Sequence, residues 1–153
     1  MINNKLYNDR YIILMMKENR NYVGIMIEDE ENRVLFQLRD NKPNIPHPNK
    51  WSLFGGGIEQ GERPEEAILR EIHEELNVRL DKKRLQLLIK KISKNEERYV
   101  FYYKLKNNEK SFKLKEGQSY LFMNPYRLLF KKNVVISLRL FLFIYPLLIL
   151  FKR

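Results

Sequence analysis

Residues 55–78 read GGGIEQGERPEEAILREIHEELNV. Seven glutamates fall between Glu59 and Glu75, directly behind three glycines, in a chain whose formal net charge is +10. Proline is favoured in the first turn of a helix, and acidic residues there face the positive end of the helix dipole. Pro64, Glu65 and Glu66 therefore predict a helix start. Asn77, a residue that tolerates left-handed backbone, predicts its end after Leu76. Within Pro64–Leu76, Ile68, Leu69, Ile72 and Leu76 form one apolar stripe. Glu71, Glu74 and Glu75, at i, i+3 and i+4, crowd another face, where like charges disfavour an isolated helix. Arg70 relieves part of this repulsion, with Glu66 and Glu74 four residues to either side. A solvated face laced with ion pairs is the plain reading. The sharper one is a hard divalent cation, because clustered carboxylates beside a glycine turn offer the oxygen ligands that Mg²⁺ or Mn²⁺ takes.

Spacing separates the two readings. Gly56 is followed after five residues by Glu62, and Glu62 after seven by Arg70-Glu71-Ile72-His73-Glu74-Glu75-Leu76-Asn77-Val78. This pattern resembles the signature of the Nudix hydrolase family, with Asn77 at the one position where the family has glycine. A pattern of this length with this many fixed residues is specific, unlike a lone glycine triplet. The segment from Arg33 through the proline-rich loop to Gly56 is similar to the MutT-like branch of the family, with Phe54 where many members have proline. The resemblance runs from about residue 20 to 124.

The resemblance implies a Nudix-type α/β/α sandwich with a mixed central sheet. It also implies metal-dependent attack of water on a phosphorus of a nucleoside diphosphate linkage. A nucleoside triphosphate or modified nucleotide, cut to monophosphate and pyrophosphate, is the expected substrate class. Nucleotide sugars and RNA 5′ ends are the alternatives, and a nucleotide-binding module is the non-enzymatic one. By position in the motif, Glu74 and Glu75 would be the main ligands of Mg²⁺ or Mn²⁺, and Glu71 a ligand or the base that orients water. Arg70 would hold the glutamates in place, Glu62 would be structural, and the Gly56 carbonyl and Glu116 would be further ligands. Arg39, Trp51 and His47 are the candidate substrate contacts. His73 is expected on the surface.

The rest of the chain reads as an α+β fold. Arg10–Met16 and Tyr22–Glu28 are expected to form a hairpin, and Arg33–Arg39, Leu85–Ser93, Arg98–Lys106, Lys110–Leu114 and Tyr120–Met123 further strands. Asp40–Lys50, with three prolines, is a loop. Apolar residues make up 44% of the 153, enough for one cored domain. There is no cysteine, which excludes disulfides, thiolate metal sites and a cysteine nucleophile. The N-terminal residues lack the pattern of a secretory signal, so a cytoplasmic location is expected.

After Glu116 the sequence has no acidic residue but has Arg127, Lys131, Lys132, Arg139, Lys152 and Arg153. The positive charge is therefore mostly C-terminal. That makes nucleic acid an unlikely general partner, an RNA 5′ end aside. Residues 1–132 are read as the Nudix domain and 133–153 as an apolar, basic-flanked C-terminal helix packed on it. The run Leu140–Phe151 is too short to span a bilayer. Being apolar nearly all round, it is expected to be covered by a partner subunit, as in a homodimer. Peripheral membrane contact and a diverged end are the alternatives.

Overall fold

The computed structural model describes residues 21–94, 96–106, 109 and 111–150, the last four of these in backbone only. Its elements are β1 (Tyr22–Glu28), β2 (Val34–Leu38), β3 (Trp51–Ser52), α1 (Pro64–Leu76), a 3-10 turn (Lys82–Arg84), β4 (Gln86–Ser93), β5 (Glu96–Lys104), β6 (Ser119–Met123), α2 (Pro125–Leu128) and α3 (Ile136–Leu150). The strands form one six-stranded sheet in the order β3-β2-β1-β5-β4, with β6 on the other edge of β2's ladder. β1 runs parallel to β5, from Tyr22↔Arg98 to Glu28↔Lys104, and the remaining pairs are antiparallel. The sheet is therefore mixed.

Side chains on β1 alternate between two cores, as a strand buried on both faces requires. Val23, Ile25 and Ile27 point towards α1 and pack on Ala67, Ile68, Ile72 and Leu76, together with Tyr99, Phe101 and Tyr103 of β5. Met26 points the other way, into a cluster with Phe36, Leu128, Leu138, Leu142 and Tyr145. One helix layer thus lies on each face, which is the α/β/α sandwich. Full burial of each such side chain contributes about 1.5–3 kcal/mol. Tyr145 is also tied down by its hydroxyl, which donates to Glu28 Oε2 at 2.9 Å.

One departure in the sheet makes the site. β1 and β2 pair only at Glu28↔Val34 and then diverge. The glycine turn fills the gap: Ile25 N–H donates to the Phe54 carbonyl (3.1 Å) and Val23 N–H to that of Gly56 (2.9 Å). At Gly55, φ is +133° and a Cβ would lie 2.1 Å from the Val23 carbonyl oxygen, so only glycine lets the chain run this close to β1.

One expectation needs correction and another goes untested. Residues 111–115 are not a strand. Their N–H groups serve α1 instead, Lys113 donating to Leu76 O (2.9 Å) and Lys115 to Glu75 O (2.8 Å), two carbonyls that the helix end leaves without intrahelical partners. The segment Arg10–Met16 lies outside the described residues. Among the described residues β1 pairs with β2 and with β5.

Candidate functional site

α1 spans Pro64–Leu76, and Asn77 caps it at φ 53°, ψ 36°, donating to the His73 carbonyl. The apolar stripe faces the sheet, with Leu69 only partly buried. The acidic face meets the glycine turn, and Arg70 organises it. Its Nε and one terminal nitrogen grip Glu62, both at 2.9 Å. The same terminal nitrogen donates to the Gly57 carbonyl at 3.0 Å. The other reaches Glu71 at 2.9 Å and Glu74 at 3.2 Å. One guanidinium thus ties the loop to the helix and offsets three carboxylates. The Arg70 pair holds the Glu62 carboxyl below the usual range.

Glu75 stands apart from that network. It is 5% exposed, and its Oε2 accepts from Gly55 N–H at 3.0 Å. Its Oε1 receives a longer contact, 3.4 Å, from Gln37 Nε2, which also donates to the Leu53 carbonyl at 2.9 Å. Burial pushes the Glu75 carboxyl up to about 8, and the charge on Glu71 adds to this. Burial also raises Glu71, against the pull of Arg70. Glu116 is exposed, yet its charge raises both carboxyls from the loop ahead of β6.

The fit of this set to a hard cation rests on two observations. A Cβ at Gly56 would lie 2.5 Å from the Glu71 carboxylate, so the turn leaves a space that only a glycine backbone keeps open for that group. The donors around it are carboxylate oxygens short of positive charge, which is the ligand chemistry of Mg²⁺ and Mn²⁺. As the side chains stand, no three carboxylates or histidines among the described residues converge on one point. Arg70 holds Glu71 and Glu74, and Glu75 is turned onto Gly55 N–H. Glu74 is the most exposed of the three, at 53% of its side chain, and is held only by the 3.2 Å contact to Arg70. The Gly56 carbonyl accepts from Val23 N–H, which leaves it one lone pair.

The candidate substrate contacts are less uniform. Arg39 Nε donates to the Pro46 carbonyl at 2.8 Å, so in this arrangement it braces the proline-rich loop. Trp51 packs partly buried against the α3-side core, with Lys131 Nζ 5.1 Å from its ring centroid. His47, at φ 55°, lines a pocket of about 260 Å³ with Lys50, Arg98, Val135, Ile136 and Ser137. Partial burial, followed by the charges of Lys50, Arg39 and Arg98, lowers the basicity of His47. His73 is exposed.

Gln37, Tyr22, Lys50 and Arg98 were not candidates from sequence. Tyr22 donates its hydroxyl to the Gly55 carbonyl at 3.2 Å, and burial raises its phenol, with the charges of Glu75 and Glu71 adding to this and those of Arg39 and Arg98 opposing it. The only sequence signal for Gln37 is a lone amide in a strand otherwise apolar on both faces.

A carboxylate helix braced by one arginine behind a glycine turn, on a mixed sheet between helix layers, defines a Nudix fold. The chain belongs to the Nudix hydrolase family: the NUDIX domain model matches residues 18–135. It is 43% identical over 61 residues to the nucleoside triphosphatase NudI of Salmonella arizonae, a match covering 40% of this chain and 42% of that one. The chain thus matches about two-fifths of that relative's length. Among solved structures it resembles the MutT protein of Methanosarcina mazei Go1 (TM-score 0.64, 17% identity, 82% of this chain and 91% of that one). It also resembles the MutT NUDIX hydrolase of Burkholderia pseudomallei (TM-score 0.60, 22% identity, 82% and 97%). At these identities the structures establish the fold.

Proposed function

We propose that the protein hydrolyses the diphosphate linkage of a nucleoside triphosphate or modified nucleotide, giving a monophosphate and pyrophosphate, with Mg²⁺ or Mn²⁺ bound by Glu71, Glu74, Glu75 and Glu116 and by the Gly56 carbonyl. The observation that carries this reading is the buried Glu75 carboxyl, raised to about 8 beside Glu71 and aimed at the glycine turn. Burying a carboxylate with so little compensation is unfavourable unless a cation joins it. The partial kinship with a nucleoside triphosphatase supports the triphosphate as substrate class.

When bound, a divalent cation supplies Lewis-acid polarisation of phosphate oxygens and makes water a stronger acid. The chain's own residues do the rest. Arg70, gripping Glu62 on the loop, fixes the level of α1 against the turn. Glu71 sits against the Gly56 backbone, where its carboxylate can orient a water and take its proton. Gly55 N–H and Gln37 hold Glu75 in one rotamer. Release of the single 3.2 Å contact to Arg70 lets Glu74 turn towards the turn without disturbing Glu62. The positive charges of Arg39, Lys50 and Arg98 act together on His47 and suit an anionic substrate.

A panel of nucleoside triphosphates, nucleotide sugars and 5′-triphosphorylated RNA with Mg²⁺ and with Mn²⁺ tests the reading. Pyrophosphate release from a nucleoside triphosphate is expected. Turnover confined to nucleotide sugars or RNA would replace the substrate class, and binding without turnover of any compound would make the protein a binding module.

A further inference from the structure

α3 has two apolar faces. Leu138, Leu142 and Tyr145 are buried on the sheet. Ile136, Leu140, Phe143 and Ile144 fall at i, i+4, i+7 and i+8, on the opposite side, and are 71%, 64%, 66% and 46% exposed. Phe130 is 88% exposed in the turn ahead of the helix. That turn lies at the edge of the stripe, because Arg139 on α3 donates to the Lys131 carbonyl at 2.6 Å. A contiguous apolar surface of this kind marks a contact site.

Charge selects the occupant. The chain beyond Glu116 carries six cations and no acidic residue. Lys132 is exposed two residues from Phe130, Arg139 precedes Leu140 with its guanidinium on the Lys131 carbonyl, and Lys131 Nζ lies over Trp51. A second copy docked through the same face would bring two sets of these cations together with no carboxylate between them. A nucleic acid would leave Phe130, Leu140 and Phe143 without apolar cover. Bulky apolar side chains with flanking lysine and arginine match the boundary of an anionic bilayer, where rings enter the acyl region and cations meet headgroups. No helix among the described residues is long and apolar enough to cross a membrane, so the contact is a surface one.

We propose that the exposed face of α3, with Phe130 and Lys132, docks the protein on anionic lipid surfaces. The contact lies on the sheet face opposite α1 and its carboxylates, and it reaches the rim of the His47 pocket through Ile136.

Co-sedimentation of the full chain with vesicles tests this. Binding is expected to phosphatidylcholine vesicles containing phosphatidylglycerol and not to phosphatidylcholine alone, and 0.5 M salt should weaken it strongly. Lys132→Ala should lower partitioning roughly fivefold, the effect of one basic residue at such a surface. Leu140→Glu/Phe143→Glu should abolish it, with the far-ultraviolet spectrum unchanged. Phe130→Ser, outside any helix, checks the same surface with no demand on α3 folding and should weaken binding severalfold. Equal binding to neutral and anionic vesicles, or no binding to either, overturns the proposal. So does self-association in sedimentation velocity that these same substitutions abolish while vesicle binding persists.

Discussion

Replacing Glu75 with glutamine changes stability in a way that depends on pH, and the sign is informative. The carboxyl ionises near 4.5 in an unfolded chain and near 8 in the metal-free fold. Between those values the folded state holds a proton that the unfolded state has released, so stability falls as pH rises through this window. The full penalty is about 5 kcal/mol above pH 8, from 3.5 pH units at 1.36 kcal/mol each. Between pH 5 and 8.5 about 4 kcal/mol of it accrues. Glutamine escapes this penalty. Its oxygen still accepts from Gly55 N–H, and only the 3.4 Å contact from Gln37 is lost, a cost that does not vary with pH. In EDTA, the melting temperature of Glu75→Gln relative to the parent should therefore rise by roughly 10 °C from pH 5 to pH 8.5. Melting followed by the fluorescence of Trp51, the sole tryptophan, measures this. Glu62 and Glu66 titrate in both proteins, so the difference between them reports Glu75 together with its coupling to Glu71. Added Mg²⁺ should stabilise the parent at pH 8.5 more than the variant. A temperature difference that stays flat across the range would refute the reasoning.

Other substitutions probe single contacts. Arg70→Ala should cost about 2 kcal/mol in urea denaturation, because Glu62 and Glu71, 15% and 16% exposed, lose their partner. Arg70→Lys should recover only part of it, since an ammonium does not grip Glu62 with two parallel bonds. Gly56→Ala should leave the fold intact but displace the Glu71 carboxylate, which lies 2.5 Å from the new Cβ, and slow turnover by roughly tenfold or more in steady-state assays. Asn77→Gly restores the residue of the family signature at φ 53° and should change stability by no more than about 1 kcal/mol, in the stabilising direction, with turnover unchanged.

The helix was legible to the residue because its signals are local. Pro64 sets the start, the apolar stripe sets the face, and Asn77 ends it. Strands β1, β2 and β6 were legible from runs of apolar and aromatic residues. The stretch Lys110–Leu114 misled because alternation describes a strand without saying what its N–H groups will pair with. Here those of Lys113 and Lys115 go to the end of α1. The grip of Arg70 on Glu62, eight residues apart, was readable only as part of a resemblance. Arg98 and Tyr22 could not be joined from sequence at all, because only the parallel register of β1 and β5 makes them neighbours. The two faces of α3 were equally apolar in the sequence, and packing alone distinguishes Leu138, Leu142 and Tyr145 from Leu140 and Phe143.

The central claim is that the glutamates of α1 hold a divalent cation for diphosphate hydrolysis. Its most direct measurement is pyrophosphate release from a nucleoside triphosphate by the parent and by Glu74→Gln, each with Mg²⁺ and with excess EDTA. Glu74 is exposed and contributes one 3.2 Å contact to the fold, so its loss leaves the structure in place. The parent should release pyrophosphate, without orthophosphate, only when Mg²⁺ is present, and Glu74→Gln should lose at least a hundredfold in rate. Undiminished release in EDTA, or by Glu74→Gln with Mg²⁺, would contradict the account.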